Sequence, residues 1–295
     1  MPGVHFFRKT RLAPTPSGYL HLGNIFSFAL TAALAERSGA AILLRIDDMD
    51  RERANPDYIR DIFDTLRFLD LPWTEGPQNA QELEERYSQR HRLHLYNKAL
   101  NKLLDTGLVY ACNCSRAQIL KQSPGGAYPG TCRHKGLPLD AADVAWRLNT
   151  EAAEAVSVKT PDGVFLQAAL PADMQDPVIR KKDGFPAYQL SSVVDDVCFG
   201  VDLIVRGYDL WPSTLVQLHI ARLLKEDHFL NTTFYHHPLL LDAHQRKLSK
   251  SAGDTSVNYL RKQGFPAEGI YLRLGKELQL STEIKHWRDL ASMLP

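Results

Sequence analysis

No stretch of the 295-residue chain approaches the roughly 18 uninterrupted apolar residues that a membrane helix needs. The first ten residues, MPGVHFFRKT, lack the apolar core of a secretory signal. A cytoplasmic protein with no membrane partner is expected. Cysteine is scarce, and four residues are too few to staple a chain of this length with disulfides. Neither sign of charge prevails: 35 Lys+Arg stand against 34 Asp+Glu, a formal net charge of +1. Bulk charge therefore neither demands nor forbids a polyanionic partner, and any nucleic-acid contacts must be local. Internal repeats and low-complexity tracts are absent. With 44% hydrophobic and 23% charged residues the composition is that of a globular protein, which sets aside disordered, collagen-like and coiled-coil classes. At about 150 residues per domain there is room for two cores.

Residues 24–38 place apolar side chains at helical spacing and are followed by Gly39, a helix-ending residue. The run 40–46, AAILLRI, is short, apolar and mostly branched, as a buried parallel strand is, and leads into Asp47, Asp48 and Asp50. Ile59, Ile62, Phe63, Leu66 and Leu69 repeat helically, and a second periodic stretch runs from Ala80 to Gly107. Both read as crossover helices. From 108 to about 170 the texture changes to short strand-like pieces broken by Gly and Pro. After Phe185, SSVVDDVCFGVDLIVRG reads as strands, Thr214–Leu224 as a helix and TFYHHPLLLD as a strand. The spacing thus predicts a Rossmann-like α/β fold in two halves, 1–107 and 185–254, around a small α+β insert at 108–184, with a short helical tail at 255–295. The residues after Ser251 are too few for a second full-sized domain.

Two motifs carry chemistry. In Arg11–Asn24, RLAPTPSGYLHLGN, Pro and Gly hold a turn just before the helix expected near Asn24. Such a turn aims backbone N–H groups and the helix dipole at an anion, and His21 can donate to a phosphate oxygen as charge builds there. In Lys247–Ser251, KLSKS, two lysines and two hydroxyls can follow charge onto a leaving pyrophosphate. Cys112-x-Cys114 with Cys132 is a third group. By spacing alone it is equally a metal site or a set of reduced thiols.

Arg11–Gly18 with His21-Leu22-Gly23-Asn24 resembles the "HIGH" region of class I aminoacyl-tRNA synthetases of the glutamate and glutamine branch, and KLSKS resembles their "KMSKS" loop. Leu44–Asp50, Ala187–Leu190, Val194–Asp196 and Arg206–Leu210 extend the likeness from about residue 8 to 265. Asp47 stands where the branch usually has Glu, and Asn24 where the wider class has His. The short C-terminal stretch makes the trimmed glutamyl-queuosine tRNA(Asp) synthetases the nearer match. The resemblance implies ATP-dependent activation of L-glutamate, with Mg²⁺ on the ATP, and transfer of the glutamyl group to queuosine in the anticodon loop of tRNA(Asp). A monomer is expected.

By the same resemblance, His21, Lys247 and Lys250 are catalytic, and His21, Gly23 and Lys250 meet ATP. Arg11, Leu12, Ala13, Pro14, Thr15, Asp47, Tyr188 and Arg206 form the glutamate pocket. Arg11 and Arg206 suit its two carboxylates, in either order, because a guanidinium fork matches a carboxylate. Asp47 suits the ammonium group, or else pairs with Arg45; Tyr188 offers a hydroxyl, or else packs in the core. Cys112, Cys114, Tyr128 and Cys132 resemble that family's structural zinc site, one ion per chain, with His134 or water as other candidates for the fourth position. Cys198 is expected to pack as a small apolar group. Asp48, Asp50, Asp195 and Asp196 are left structural, and Asp209 is a candidate for holding substrate or ribose. RNA contacts are expected near Arg180, Lys181, Lys182 and the KLSKS loop. Two competing readings are a short glutamyl-tRNA synthetase that charges a tRNA 3′ end and a silent RNA-binding regulator.

Overall fold

Parallel pairing of two short strands on either side of a buried helix sets up the first unit. In the computed structural model, which describes residues 6–50, 54–239 and 256–294, β1 (Lys9–Leu12) pairs in parallel with β2 (Ala41–Leu44), Lys9 opposite Ala41 and Leu12 opposite Leu44. Between them runs α1 (Leu22–Ser38), closed by Gly39 in the left-handed conformation at φ 70°. Apolar residues on nearly every side of α1 are buried, among them Ile25, Phe26, Ala29, Leu30, Ala33 and Leu34. A helix that is apolar all round belongs in the middle of a core. The rest of this unit comprises α2 (Pro56–Phe68), α3 (Ala80–Glu82), β8 (Leu203–Gly207), most of β9 (Thr233–His237), α9 (Val257–Lys262), α10 (Ala267–Glu277) and a final 3-10 turn, Trp287–Met293, that packs on α1. β8 lies beside β1: the Asp202 N–H donates to the Lys9 carbonyl at 3.0 Å, and the Asp202 carboxylate accepts from the Arg8 and Lys9 N–H groups.

The second unit takes Arg92–Gly200 and Leu210–Thr233, so residues 108–184, expected as an insert, fall within it together with four flanking helices. Its elements are α4 (Leu93–Leu104), β3 (Val109–Cys112), α5 (Arg116–Gln122), β4 (Ala145–Leu148), β5 (Val156–Lys159), β6 (Phe165–Ala168), β7 (Val178–Arg180), α6 (Tyr188–Phe199), α7 (Trp211–Leu224) and α8 (Asp227–Leu230). β3, β4 and β7 form an antiparallel sheet, β5 and β6 an antiparallel hairpin, and α4, α6 and α7 pack together. Among the described residues no helix is long and apolar enough to cross a membrane.

Three sequence expectations are corrected. Residues 191–199 are helical, not strand: the branched run SSVVDDV carries a strand-like texture, but Leu190 and Val193 are buried at helical spacing. Buried Asp195 fixes this helix to α4 by accepting from Arg92 at 2.7 Å and from the Tyr96 hydroxyl at 2.6 Å, and Gly200 ends it at φ 70°. Cys198 is exposed on that helix instead of packed. The stretch 80–107 is not one helix: α3 passes into a π turn (Leu83–Tyr87) and a 3-10 turn (Gln89–Arg92) before α4. Buried Asp48 causes the break by accepting the Ser88 hydroxyl at 2.6 Å and the Gln89 N–H at 2.8 Å.

Candidate active site and metal centre

Two arginines are buried on adjacent strands of the first unit. Arg11 on β1 is 6% exposed and Arg206 on β8 is 3% exposed, and Arg11 donates to the Val205 carbonyl at 3.3 Å. The Arg206 guanidinium also lies 5.3 Å from the centre of the Phe234 ring. Beyond β1, the Leu12 carbonyl accepts from the Arg45 N–H at 2.9 Å and the Pro14 carbonyl from the Asp47 N–H at 3.0 Å, which carries Leu12, Ala13 and Pro14 alongside residues 45–47. Thr15 follows in a turn and is exposed. The Asp47 carboxylate holds Arg45 in a two-pronged pair at 2.8 and 3.1 Å, with both side chains nearly out of solvent.

His21 is the N-cap of α1, which therefore begins earlier than expected from the sequence, at Leu22. Its Nδ1 accepts from the Gly23 N–H at 3.1 Å, while its own backbone N–H donates to Asn24 Oδ1 at 3.1 Å. An Nδ1 that accepts leaves the ring proton on Nε2, where it is a donor suited to a phosphate oxygen. A Cβ on Gly23 would sit 2.9 Å from His21 Cε1, so glycine is what lets the ring fold over the first turn. That turn holds no acidic residue, and its dipole is left for an anion. Ser256 and Val257 return to this point: Ser256 bridges His21, and the Val257 N–H donates to the Leu20 carbonyl at 2.8 Å. Lys247 and Lys250 lie outside the described residues.

In the second unit the sulfurs of Cys112, Cys114 and Cys132 lie within 4.8 Å of one another, the one cluster of metal-ligating side chains among the described residues. Cys114 and Cys132 are 3.5 Å apart at Sγ, and the Tyr128 hydroxyl is 3.4 Å from Cys112 Sγ. Tetrahedral zinc with bonds of about 2.3 Å to sulfur needs sulfurs roughly 3.8 Å apart, so the three sulfurs could hold such an ion. Burial, with its sulfur neighbours, pushes the Cys114 thiol up to about 11. At Cys132 burial acts in the same sense but is outweighed by hydrogen bonds, from the Asn113 backbone foremost, and the thiol lies below its ordinary value. Tyr128 is 7% exposed, accepts from the Cys132 N–H at 2.9 Å and carries the Arg147 guanidinium 3.7 Å over its ring. Burial before all else raises its phenol.

Tyr188 belongs to the second unit, at the first turn of α6, and is 42% exposed. Asp209 lies beside β8, its Oδ1 2.5 Å from where a Cβ on Gly207 would be. Sequence reasoning passed over the histidine pair that ends β9. Burial, then the Arg206 charge, pushes His236 down to about 3. His237 meets Phe26 edge-on at 4.7 Å, and its Nδ1 is 2.8 Å from the Pro238 carbonyl. The adjacent His-His in a strand-like run was the available signal.

The family model described as tRNA synthetases class I (E and Q), catalytic domain, matches residues 8–276. A Glutamyl-Q tRNA(Asp) synthetase of Nitratidesulfovibrio vulgaris is 37% identical over 278 residues, 89% of this chain and 83% of that protein. A glutamate–tRNA ligase of Anaeromyxobacter sp. (strain K) is 36% identical over 298 residues, 96% of this chain but 61% of the ligase. The chain thus spans about three fifths of that relative. The crystal structure of the glutamate–tRNA synthetase of Elizabethkingia anophelis superposes with a TM-score of 0.67 at 22% identity, over 89% of this chain and 55% of that one, and shows the common fold. From β1 to α10 the chain therefore belongs to the class I tRNA synthetases of the E and Q group, through their catalytic domain.

Proposed function

We propose that the protein joins L-glutamate to ATP as glutamyl-adenylate and then passes the glutamyl group to queuosine in the anticodon loop of tRNA(Asp). The observation that carries the first step is the pair of buried guanidiniums, Arg11 and Arg206, in the same unit as a helix N-terminus capped by histidine. One substrate with two carboxylates and one polyphosphate match these groups. The choice of acceptor follows the Nitratidesulfovibrio relative, whose length the chain largely spans.

In the first step the glutamate α-carboxylate attacks the ATP α-phosphorus in line, and the bond to the bridging oxygen breaks to release pyrophosphate. No protein nucleophile takes part. His21 Nε2–H and the first turn of α1 stabilise the phosphate charge, and Lys250, with Lys247, follows it onto the leaving group, while Mg²⁺ arrives with ATP. In the second step the queuosine hydroxyl attacks the glutamyl carbonyl and AMP leaves. Cys112, Cys114, Tyr128 and Cys132 would hold a structural zinc ion. Zinc there would supply a cross-link between β3 and the loop that carries Tyr128 and Cys132. The location is the cytoplasm.

Glutamate-dependent ATP–pyrophosphate exchange without RNA tests the activation step, and its absence would point to the silent regulator. Labelled glutamate supplied with tRNA from cells that make or lack queuosine tests the acceptor. Label in the anticodon fragment only when queuosine is present is expected; label on the 3′ fragment would establish the short glutamyl-tRNA synthetase, a reading that the 36% identity to a glutamate–tRNA ligase keeps in play. Purified protein should carry about one zinc per chain, lost in Cys114→Ser with early unfolding of the second unit. Metal-free protein of unchanged stability would refute the zinc site.

A further inference from the structure

The turn that joins β7 to the segment before α6 is short, rigid and armed with a ring and three cations. The Lys181 N–H donates to the Phe185 carbonyl at 2.8 Å, the Gly184 N–H to the Lys181 carbonyl at 3.0 Å, and the Ala187 N–H to the Ile179 carbonyl at 2.9 Å. Gly184 takes φ +87°, which a side chain would resist. The Phe185 N–H is held by Asp183 Oδ1 at 3.0 Å. The hairpin is anchored on both sides: the Arg180 guanidinium stacks 4.7 Å over Trp146 of β4, and Lys182 donates to the Asn113 carbonyl, between two of the clustered cysteines, at 3.1 Å.

At the tip Phe185 is 37% exposed, with Lys181 Nζ 5.6 Å from its ring centre, and Tyr188, 42% exposed, follows three residues on. Phe185 is one of several rings exposed among the described residues, and what sets it apart is the braced turn that fixes it beside Lys181, which makes its face an available stacking surface. The charges bear on what it stacks with. Asp183 pairs with Lys181 at 2.6 Å and Asp143 with Lys182 at 3.1 Å, so most of the local positive charge is answered within the protein. A site built to grip phosphates would leave those cations open, whereas a site built to stack on an unpaired base needs the ring and only modest charge.

We propose that this hairpin is an RNA platform on which one unpaired loop base stacks against Phe185. The proposal rests on the reading of the chain as an RNA-modifying ligase and identifies a residue that engages its acceptor. The probe is an anticodon stem-loop RNA of tRNA(Asp), titrated at several salt concentrations against wild type, Phe185→Leu, Phe185→Trp and Lys182→Ala. Phe185→Leu keeps apolar volume and removes the aromatic face. It should weaken binding about five- to a hundredfold at every salt concentration without changing the salt slope, and Phe185→Trp should restore it. ATP–pyrophosphate exchange should be unchanged in Phe185→Leu, and the Michaelis constant for tRNA raised. Wild-type affinity in Phe185→Leu, or a loss equalled by Phe185→Trp, overturns the platform. Failure of wild-type exchange would instead strike the proposed activation step, and the binding titration would still decide the role of Phe185.

Discussion

A histidine acts on phosphate only if its ring is aimed and its proton is on the outward nitrogen, and here one glycine governs both. Gly23 supplies the N–H that fixes the His21 tautomer and leaves the space in which the ring lies. Gly23→Ala puts a methyl 2.9 Å from His21 Cε1, so the ring must swing away and the Nδ1 contact is lost. Adenylate formation should fall by about two orders of magnitude, as on removal of one aimed donor, while alanine in the first turn of a helix leaves the melting temperature almost unaltered. Exchange kinetics beside a thermal melt check this; retained activity would remove His21 Nε2 from the phosphate site. Asp47 teaches a related lesson. Its two-pronged hold on Arg45 makes the carboxylate part of the fold before it is part of any pocket.

Among elements, α6 shows most plainly what the sequence withheld. Its fixing contact is the buried pair of Asp195 with Arg92, supported by the Tyr96 hydroxyl, residues about a hundred positions apart that no local pattern relates. Arg92→Leu should destabilise the second unit by about 3–5 kcal/mol because Asp195 would remain as a buried charge, and Arg92→Leu with Asp195→Leu should recover much of that loss. Urea unfolding of the three variants decides it. The same physics separates legible from illegible elsewhere. α1, β2 and α2 declared themselves because caps, periodicity and branched runs are local, and β3, β4 and β5 were marked by the turns around them. The break at Ser88 and Gln89 was hidden because Asp48, which causes it, lies forty residues earlier. In the site, the cysteine spacing and the histidine-glycine turn could be read directly. The stacking of Arg147 on Tyr128 and the enclosure of His236 could not, since both depend on which strands become neighbours.

Both units hold histidines whose pKa is pushed down, and this couples the stability of the whole molecule to pH. Burial and then Arg222 push His219 down to about 4, and His236 lies at about 3. Both folded values lie below the unfolded value near 6.5. Above that pH both states are neutral and the stability is fully present; below it the unfolded chain takes up protons that the folded chain refuses. Stability should therefore decline from about pH 6.5 toward pH 4, by up to about 1.4 kcal/mol per pH unit for each histidine. Urea midpoints across that range should fall, less steeply in His219→Gln, and a flat profile would contradict the enclosure of both rings. The path of the chain has another consequence. It passes between the units at four points, and the first unit is closed by its last turn, where Trp287 and Leu290 join the core around α1. During synthesis α1 leaves the ribosome early, apolar on nearly every side, and the face that Trp287 and Leu290 cover stays open until that turn emerges. The nascent chain is then a natural client for chaperones through most of its translation, and a ribosome stalled before codon 287 would release an aggregation-prone product.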